Sequence, residues 1–332
     1  MILITGGGSG GHLAIAKAVL QKCHEKNIKC IYVGSDNHHD KLWFENEDMF
    51  EEKYFLKATG YVDKKGIKKL FVLLGLIKTI IASIKIIKKH KVTKVFSVGG
   101  YSSVSAGVAS ILCFKPLYIH EQNSVFGLAN KILSKFAKRT FCSFKAPYDP
   151  YPIQEKFFDS NTRTSLKKIF FMGGSNGASF INELALNMAP TLEKNNISII
   201  HQCGDKDFRK CKQWYEEQGI KAEVFSFSNN IDEYLKNTDL CIARAGASTM
   251  FECVASNVPC IFIPYLYAYK NHQYFNAKFL KDKNLAYLIE QNNANKDNVL
   301  ELVFSINIKE MSLKLNLIEK INGADKIVEV LA

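Results

Sequence analysis

With 332 residues, the chain is long enough for two domains, each with a full core. Its 47% hydrophobic content is ordinary for a globular protein and argues against disorder. The formal net charge of +12 points to an anionic partner, but no nucleic-acid motif accompanies it, so a phosphorylated ligand or an anionic lipid is expected instead. Nine cysteines are scattered through apolar runs without a CxxC pair, the pattern of reduced core thiols in a cytosolic protein. The N-terminal apolar run ends at glycines after four residues, too soon for a signal peptide.

The chain opens with Ile2-Leu3-Ile4-Thr5, followed by Gly6-Gly7-Gly8-Ser9-Gly10-Gly11-His12 and then helix-compatible sequence from Leu13 to Cys23. Glycines let a strand turn tightly into a helix and let phosphates approach bare backbone amides at the helix start. Gly6, Gly8 and Gly11 also spell G-x-G-x-x-G, with Asp36 after the next strand, so a nicotinamide-dependent oxidoreductase is one reading. His12 argues against it, because that fingerprint usually has a small or apolar residue there. At a helix start the dipole favours a neutral imidazole, which suits a general base acting on a sugar hydroxyl.

Further strands are expected near Cys30–Val33, Tyr54–Lys57, Val95–Val98, Leu117–His120 and Thr140–Ser143. Between the third and fourth lies Lys64 to Lys91, with nine lysines and no uncharged run longer than Leu70 to Ile77, far short of the ~20 residues of a spanning helix. As a helix it carries the stripe Leu70, Leu74, Ile77, Ile81 and Ile84, widened by Leu73, Ile80 and Ile87. Part of that stripe is expected to be core. Its excess width, with Lys68, Lys69, Phe71 and Leu74, suits contact with an anionic membrane surface. At strand ends, where open α/β sheets bind ligands, come Gly99-Gly100-Tyr101-Ser102-Ser103 and then His120-Glu121-Gln122-Asn123.

Phe144 to Lys167 holds three of the seven prolines and reads as a linker. The expected domains are 1–145 and 168–332 around a linker at 146–167, with the last helix able to pack back on the first domain. The second half repeats the pattern, with strands near Ile169–Met172, Ser198–His201, Ala222–Phe225, Leu240–Ala243, Cys260–Ile263 and Ala286–Ile289. A second glycine turn, Gly173-Gly174-Ser175-Asn176-Gly177-Ala178, follows its first strand. Arg244-Ala245-Gly246-Ala247-Ser248-Thr249 leads into a helix carrying Glu252, which has the reach to accept two hydrogen bonds from a ribose diol. Pro264 opens a loop to Asn271-His272-Gln273, and Asp297 to Ala332 is read as one or two closing helices. Repeated β-α units imply parallel sheets, and two glycine turns suggest two nucleotide-type domains.

In order along the chain, Ser9 to His12, Gly99-Gly100-Tyr101 with Ser103, His120 to Asn123, Gly173 to Ala178, Arg244 to Glu252 and His272-Gln273 with Asn276-Ala277 resemble the MurG family. These are UDP-N-acetylglucosamine:undecaprenyl-pyrophosphoryl-N-acetylmuramyl-pentapeptide N-acetylglucosaminyltransferases of peptidoglycan synthesis. The resemblance implies a GT-B fold of two Rossmann-like domains, an inverting reaction, no cofactor and a peripheral place on the cytoplasmic face of the membrane. Its partners are UDP-N-acetylglucosamine and undecaprenyl-linked lipid I. It implies that Ser175 binds the donor diphosphate, Glu252 the ribose, Gln273 with Ala247 and Ser248 the N-acetylglucosamine, and backbone near Phe227 and Ser228 the uracil. Ser9, Gly10 and Gly11 are expected around the transferring sugar and acceptor pyrophosphate with Asn123 nearby; Arg244 and Thr249 belong to the donor loop, Tyr101 and Ser103 to the acceptor side. His12 is the expected base and Glu121 the runner-up. No carboxylate pair with metal-ligand spacing follows a strand, so no obligatory metal is expected. Two departures stand out: Ile15 replaces a family proline, and Gln154 replaces a linker arginine that helps hold the donor. A diacylglycerol glycosyltransferase of the same fold is the rival reading.

Overall fold

The computed structural model describes residues 1–57, 67–174 and 177–332, without the side chains of residues 38 and 67–72. Short apolar runs bounded by glycine, proline or a polar turn become strands, buried in the middle of each sheet and half-buried along the edges. In the first half these are β1 (Ile2–Thr5), β2 (Cys30–Ser35), β3 (Glu52–Leu56), β4 (Lys94–Ser97), β5 (Leu117–Glu121) and β6 (Arg139–Cys142). They pair in parallel in the order β3-β2-β1-β4-β5-β6. In the second half, β7 (Lys168–Met172), β8 (Ser198–Gln202), β9 (Ala222–Phe225), β10 (Leu240–Ala243), β11 (Cys260–Phe262) and β12 (Tyr287–Leu288) form the parallel order β12-β11-β10-β7-β8-β9. Each strand expected from sequence is present, with ends shifted by a residue or two.

The chain divides into two compact units, Met1–Gln154 with Ile321–Ala332, and Glu155–Lys320. The division falls inside the segment read as a linker. In the first unit Leu3, Ile31, Val33, Val95 and Ile119 of the sheet pack with Ile86, Ile87, Ala106 and Ala109 of its covering helices. In the second, Ile169, Phe171, Ile199 and Ile242 pack with Ile181, Ala185, Met188 and Leu192 of the helix Ser179–Lys194. The helix Gly323–Leu331 belongs to the first unit and packs on the helix Gly10–Glu25. Asn322 ties it there by accepting from the Ile153 amide at 3.2 Å and donating to the Ile153 carbonyl at 2.7 Å.

Two expectations need correction. The tail forms three helices, Lys296–Ser305, Ile308–Asn316 and Gly323–Leu331, because Asn295, Asn307 and Asn322 each cap a new start. His272 begins a helix, His272–Lys281, rather than lying in a loop. In the helix Ile67–Lys89 the stripe divides: Ile84 packs against the core and Ile87 is buried in it, beside Thr79, Ser83 and Ile86, while Leu73, Leu74, Ile77 and Ile81 are each close to half exposed. Among the described residues no helix is long and apolar enough to cross a membrane.

Candidate active-site residues of the two units

Each sheet reverses its winding direction at its middle, between β1 and β4 in the first unit and between β7 and β10 in the second. Loops leaving neighbouring strands part at such a point and open a crevice at the carboxyl ends. Both glycine-rich turns leave from these strands.

In the first unit the two runs after β1 and β4 interlock. The Gly7 amide donates to the Gly99 carbonyl at 3.2 Å, and a Cβ on Gly100 would lie 2.2 Å from the Gly7 carbonyl oxygen, so only glycine fits. Asp40 fixes the first run: it is fully buried and accepts from the amides of Gly8 at 2.7 Å and Ser35 at 2.8 Å. Ser9 and His12 follow at the start of the helix Gly10–Glu25, with Ser9 Oγ 2.7 Å from His12 Nδ1. His12 Nε2 lies on the side of Gly99, where an added Cβ would approach it to 3.2 Å. Gln122 Nε2 is 3.4 Å from His12 Nδ1. Tyr101 covers the run from outside, 2.8 Å from where a Gly8 Cβ would stand, and accepts from Asn37.

Glu121 is buried, and its carboxylate accepts from the amides of Asn123 and Gly127 and from Asn130 Nδ2, each at 3.0 Å. Burial raises its pKa while these bonds pull it down. Both oxygens are thus engaged in shaping the loop that carries Asn123. His120 is fully buried, and burial, then the charge of His12, lower its pKa to about 3. Ser103 turns its hydroxyl back to the Gly100 carbonyl at 2.9 Å and is buried, so it braces the turn and does not face outward.

In the second unit, Gly173, Gly174, Gly177 and Ala178 lead to the helix Ser179–Lys194 and Gly246 leads to the helix Ala247–Ala255, so the N-cap positions are Ala178 and Gly246, which have no capping side chain of their own. Helix starts of this kind attract phosphate. Ser175 lies outside the described residues. Arg244 is buried; it donates to the carbonyls of Ile263 and Pro264 at 3.0 and 3.1 Å and lies over the rings of Phe180 and Tyr265. Burial lowers its pKa to about 10. Ala247, Ser248 and Thr249 form the first turn of the second helix, and Asn276 Nδ2 donates to the Ala245 carbonyl at 3.2 Å. Gln273 accepts from the Tyr265 amide at 2.9 Å.

Glu252 lies one turn further, partly open at its surface yet surrounded by protein. Burial and the neighbouring Cys253 push its pKa to about 8, against a downward pull from Lys156 and with a further push from Asp232. Lys156 pairs with Asp232 at 2.5 Å and donates to the Asn229 carbonyl at 2.8 Å. Ser228, next to Asn229, accepts from the Asn230 amide at 3.0 Å. Gln154, by contrast, is buried in the first unit. Among the described residues, the one group of three metal-capable side chains is the fully buried trio Cys241, Cys253 and Cys260. Lys68, Lys69 and Phe71 lie outside the described side chains.

Residues 2–142 match the glycosyltransferase family 28 N-terminal domain and residues 168–331 the family 28 C-terminal domain. The UDP-N-acetylglucosamine--N-acetylmuramyl-(pentapeptide) pyrophosphoryl-undecaprenol N-acetylglucosamine transferase of Campylobacter jejuni (strain RM1221) is 49% identical over 329 residues, 99% of this chain and 96% of that one. The chain belongs to the MurG family. The same-named transferase of Campylobacter fetus is 48% identical, over 99% of this chain and 98% of that one. The crystal structure of Acinetobacter baumannii MurG shares the fold, with a TM-score of 0.77 and 24% identity over 99% of this chain and 98% of that chain. Each sheet of this MurG-family chain is the Rossmann-like half of a GT-B enzyme, and the chain is a glycosyltransferase. The oxidoreductase reading falls, because both halves of the chain match glycosyltransferase family 28 domains; the glycines after β1 are explained by packing, a Cβ on Gly6 meeting the Gly99 carbonyl oxygen at 2.4 Å, one on Gly7 the Asp40 carboxylate and one on Gly8 the Tyr101 ring.

Three residues of these sites were not singled out from sequence. Asp40 was visible as the fourth residue of Asn37-x-x-Asp, a helix-capping spacing, and Asn37 does accept from the Asp40 amide at 2.9 Å. Asn130 lies in a short helix after the His120 to Asn123 cluster, with no pattern of its own to single it out. Lys156 had no local signal, because its partners Asp232 and Asn229 are more than seventy residues away.

Proposed function

We propose that this chain transfers N-acetylglucosamine from UDP-N-acetylglucosamine to the C4 hydroxyl of the N-acetylmuramyl residue of undecaprenyl-linked lipid I, forming lipid II. Full-length identity to transferases of that name supports the reaction. The observation that carries the chemistry is the Ser9–His12 contact at the switch point of the first sheet.

With Nδ1–H donating to Ser9 Oγ, the Nε2 lone pair of His12 is the one able to accept a proton. The hydroxyl of the acceptor sugar gives its proton to Nε2 as its oxygen attacks C1 of N-acetylglucosamine. The bond from C1 to the diphosphate breaks on the opposite face, UDP leaves with the electron pair, and the configuration inverts. The helix starts after β7 and β10, with Ser175 and Arg244, stabilise charge gathering on the leaving diphosphate. Glu252 holds the ribose, backbone near Ser228 the uracil, and Gln273, Ala247, Ser248 and Thr249 the sugar. Gly10, Gly11, Asn123 and Tyr101 belong to the acceptor side.

The protein works peripherally on the cytoplasmic face of the membrane. Leu73, Leu74, Ile77 and Ile81, exposed on one helix among Lys78, Lys85 and Lys88, suit an anionic bilayer surface. Calorimetry tests the donor assignment: UDP-N-acetylglucosamine should bind at one site per chain, and Gln273→Ala should weaken it while leaving UDP binding intact. Equal binding of UDP-glucose and UDP-N-acetylglucosamine would contradict it.

A further inference from the structure

After β11 the chain leaves the second unit's sheet through Pro264 and runs Tyr265-Leu266-Tyr267-Ala268-Tyr269-Lys270 before the helix His272–Lys281. Tyr265, Leu266, Tyr267 and Tyr269 are 44, 43, 77 and 52% exposed, and Phe275 at the start of that helix is 46% exposed. Soluble surfaces rarely gather large apolar side chains in this way without a partner. The root of the loop is fixed: the Tyr265 amide donates to Gln273, and the Arg244 guanidinium lies 5.5 Å from the Tyr265 ring. Its far end is set by two successive left-handed residues, Lys270 at φ 49° and Asn271 at φ 56°. Between them the Tyr265 and Tyr267 rings meet edge to face at 5.7 Å.

Charge narrows the choice of partner. From Pro264 to Lys283 there are four lysines and a single acid, Asp282, and that acid is taken by Lys278 at 2.7 Å. Lys270 Nζ stands 5.5 Å from the Tyr269 ring. Exposed tyrosines and a leucine in a lysine-rich segment, with Lys270 beside Tyr269, have the chemistry of the headgroup layer, where amphipathic rings and cations are both favoured. A deformable lipid surface accepts exposed apolar side chains without a matching pocket.

We propose that residues 266–269 form a second membrane-contacting element, on the donor-binding unit, that seats in the headgroup layer of an anionic bilayer. It rests on the reading of the chain as a membrane-associated transferase and is separate from the face on the helix Ile67–Lys89.

The test uses the full chain and vesicles of phosphatidylglycerol and phosphatidylcholine. Leu266→Ser/Tyr267→Ser/Tyr269→Ser should weaken partitioning about tenfold or more, since each apolar side chain seated at the interface adds a several-fold factor, with affinity for UDP-N-acetylglucosamine unchanged. Tyr267→Trp, in a chain carrying Trp43→Phe and Trp214→Phe, should be quenched by brominated lipids. Unchanged partitioning with no quenching would overturn the proposal. So would lost donor affinity with unchanged partitioning, which would assign the loop to the donor site. An Ile77→Ser/Ile81→Ser variant measured alongside separates the two readings: if it loses partitioning while the loop variant does not, only the loop proposal falls, and if neither does, both fall.

Discussion

The 2.7 Å contact between Ser9 Oγ and His12 Nδ1 suits the tautomer with the proton on Nδ1, which leaves Nε2, on the Gly99 side of the ring, as the proton acceptor of the proposed reaction. His12→Ala should lower turnover by about 10²–10⁴-fold, the usual worth of a general base, with donor affinity and thermal stability retained. More than about a tenth of parent turnover would make His12 a positioning residue. Glu121 is a poor substitute, because three donors already occupy its carboxylate. Glu252 makes a second prediction at this scale. Its pKa of about 8 leaves it mostly protonated at neutral pH, whereas ribose hydroxyls donate best to the ionised form. Donor affinity should therefore rise between pH 7 and pH 9, and a Glu252→Gln variant should lose that rise; identical pH profiles would remove Glu252 from the ribose. Stability carries the opposite sign. Between its ordinary value of 4.5 and about 8 the folded chain holds a proton that the unfolded chain has lost, so this group's contribution to stability falls as pH rises through that window.

Among the elements, strands were the most legible in the sequence. Ile2–Thr5 or Leu240–Ala243 is a continuous apolar run ended by a sharp turn, as a strand buried on both faces must be. The helix Ile67–Lys89 was harder. Its stripe reads as divided between core and an anionic surface, but the sequence does not show that the packed face includes Thr79 and Ser83. Small residues there allow close approach to the neighbouring helix Ser103–Leu112, and their hydroxyls donate to the helix's own carbonyls of Leu76 and Thr79 at 2.9 and 2.8 Å. Buried polarity is satisfied locally, and Leu73, Leu74, Ile77 and Ile81 are left outside while Ile86 and Ile87 join the core. Ile77→Ser/Ile81→Ser should accordingly reduce binding to anionic vesicles without lowering the melting temperature. A substantial drop in melting temperature would show that this face is core after all. At the sites, glycine turns and strand-end clusters were readable as sequence, but Asp40 against Gly8 and Lys156 against Asp232 depend on contacts distant along the chain.

At the scale of the whole molecule, two similar sheets share one logic, a reversal of winding that opens a crevice where glycine-rich turns emerge. The first carries the Ser9–His12 pair and the second the helix starts at Ala178 and Gly246 and Arg244. Such a division suits a reaction that joins a lipid-linked acceptor to a nucleotide sugar. The linker was recognisable by its prolines, and the return of the last helix to the first unit is held by Asn322 against Ile153, a contact no local pattern announces. The most direct measurement supplies the purified chain with labelled UDP-N-acetylglucosamine and a lipid I analogue in anionic vesicles, and follows both UDP release and the product's linkage. One UDP should be released for each β-1,4-linked disaccharide on the pyrophosphoryl lipid. UDP release without disaccharide, or transfer of the sugar to diacylglycerol instead, would contradict the assignment.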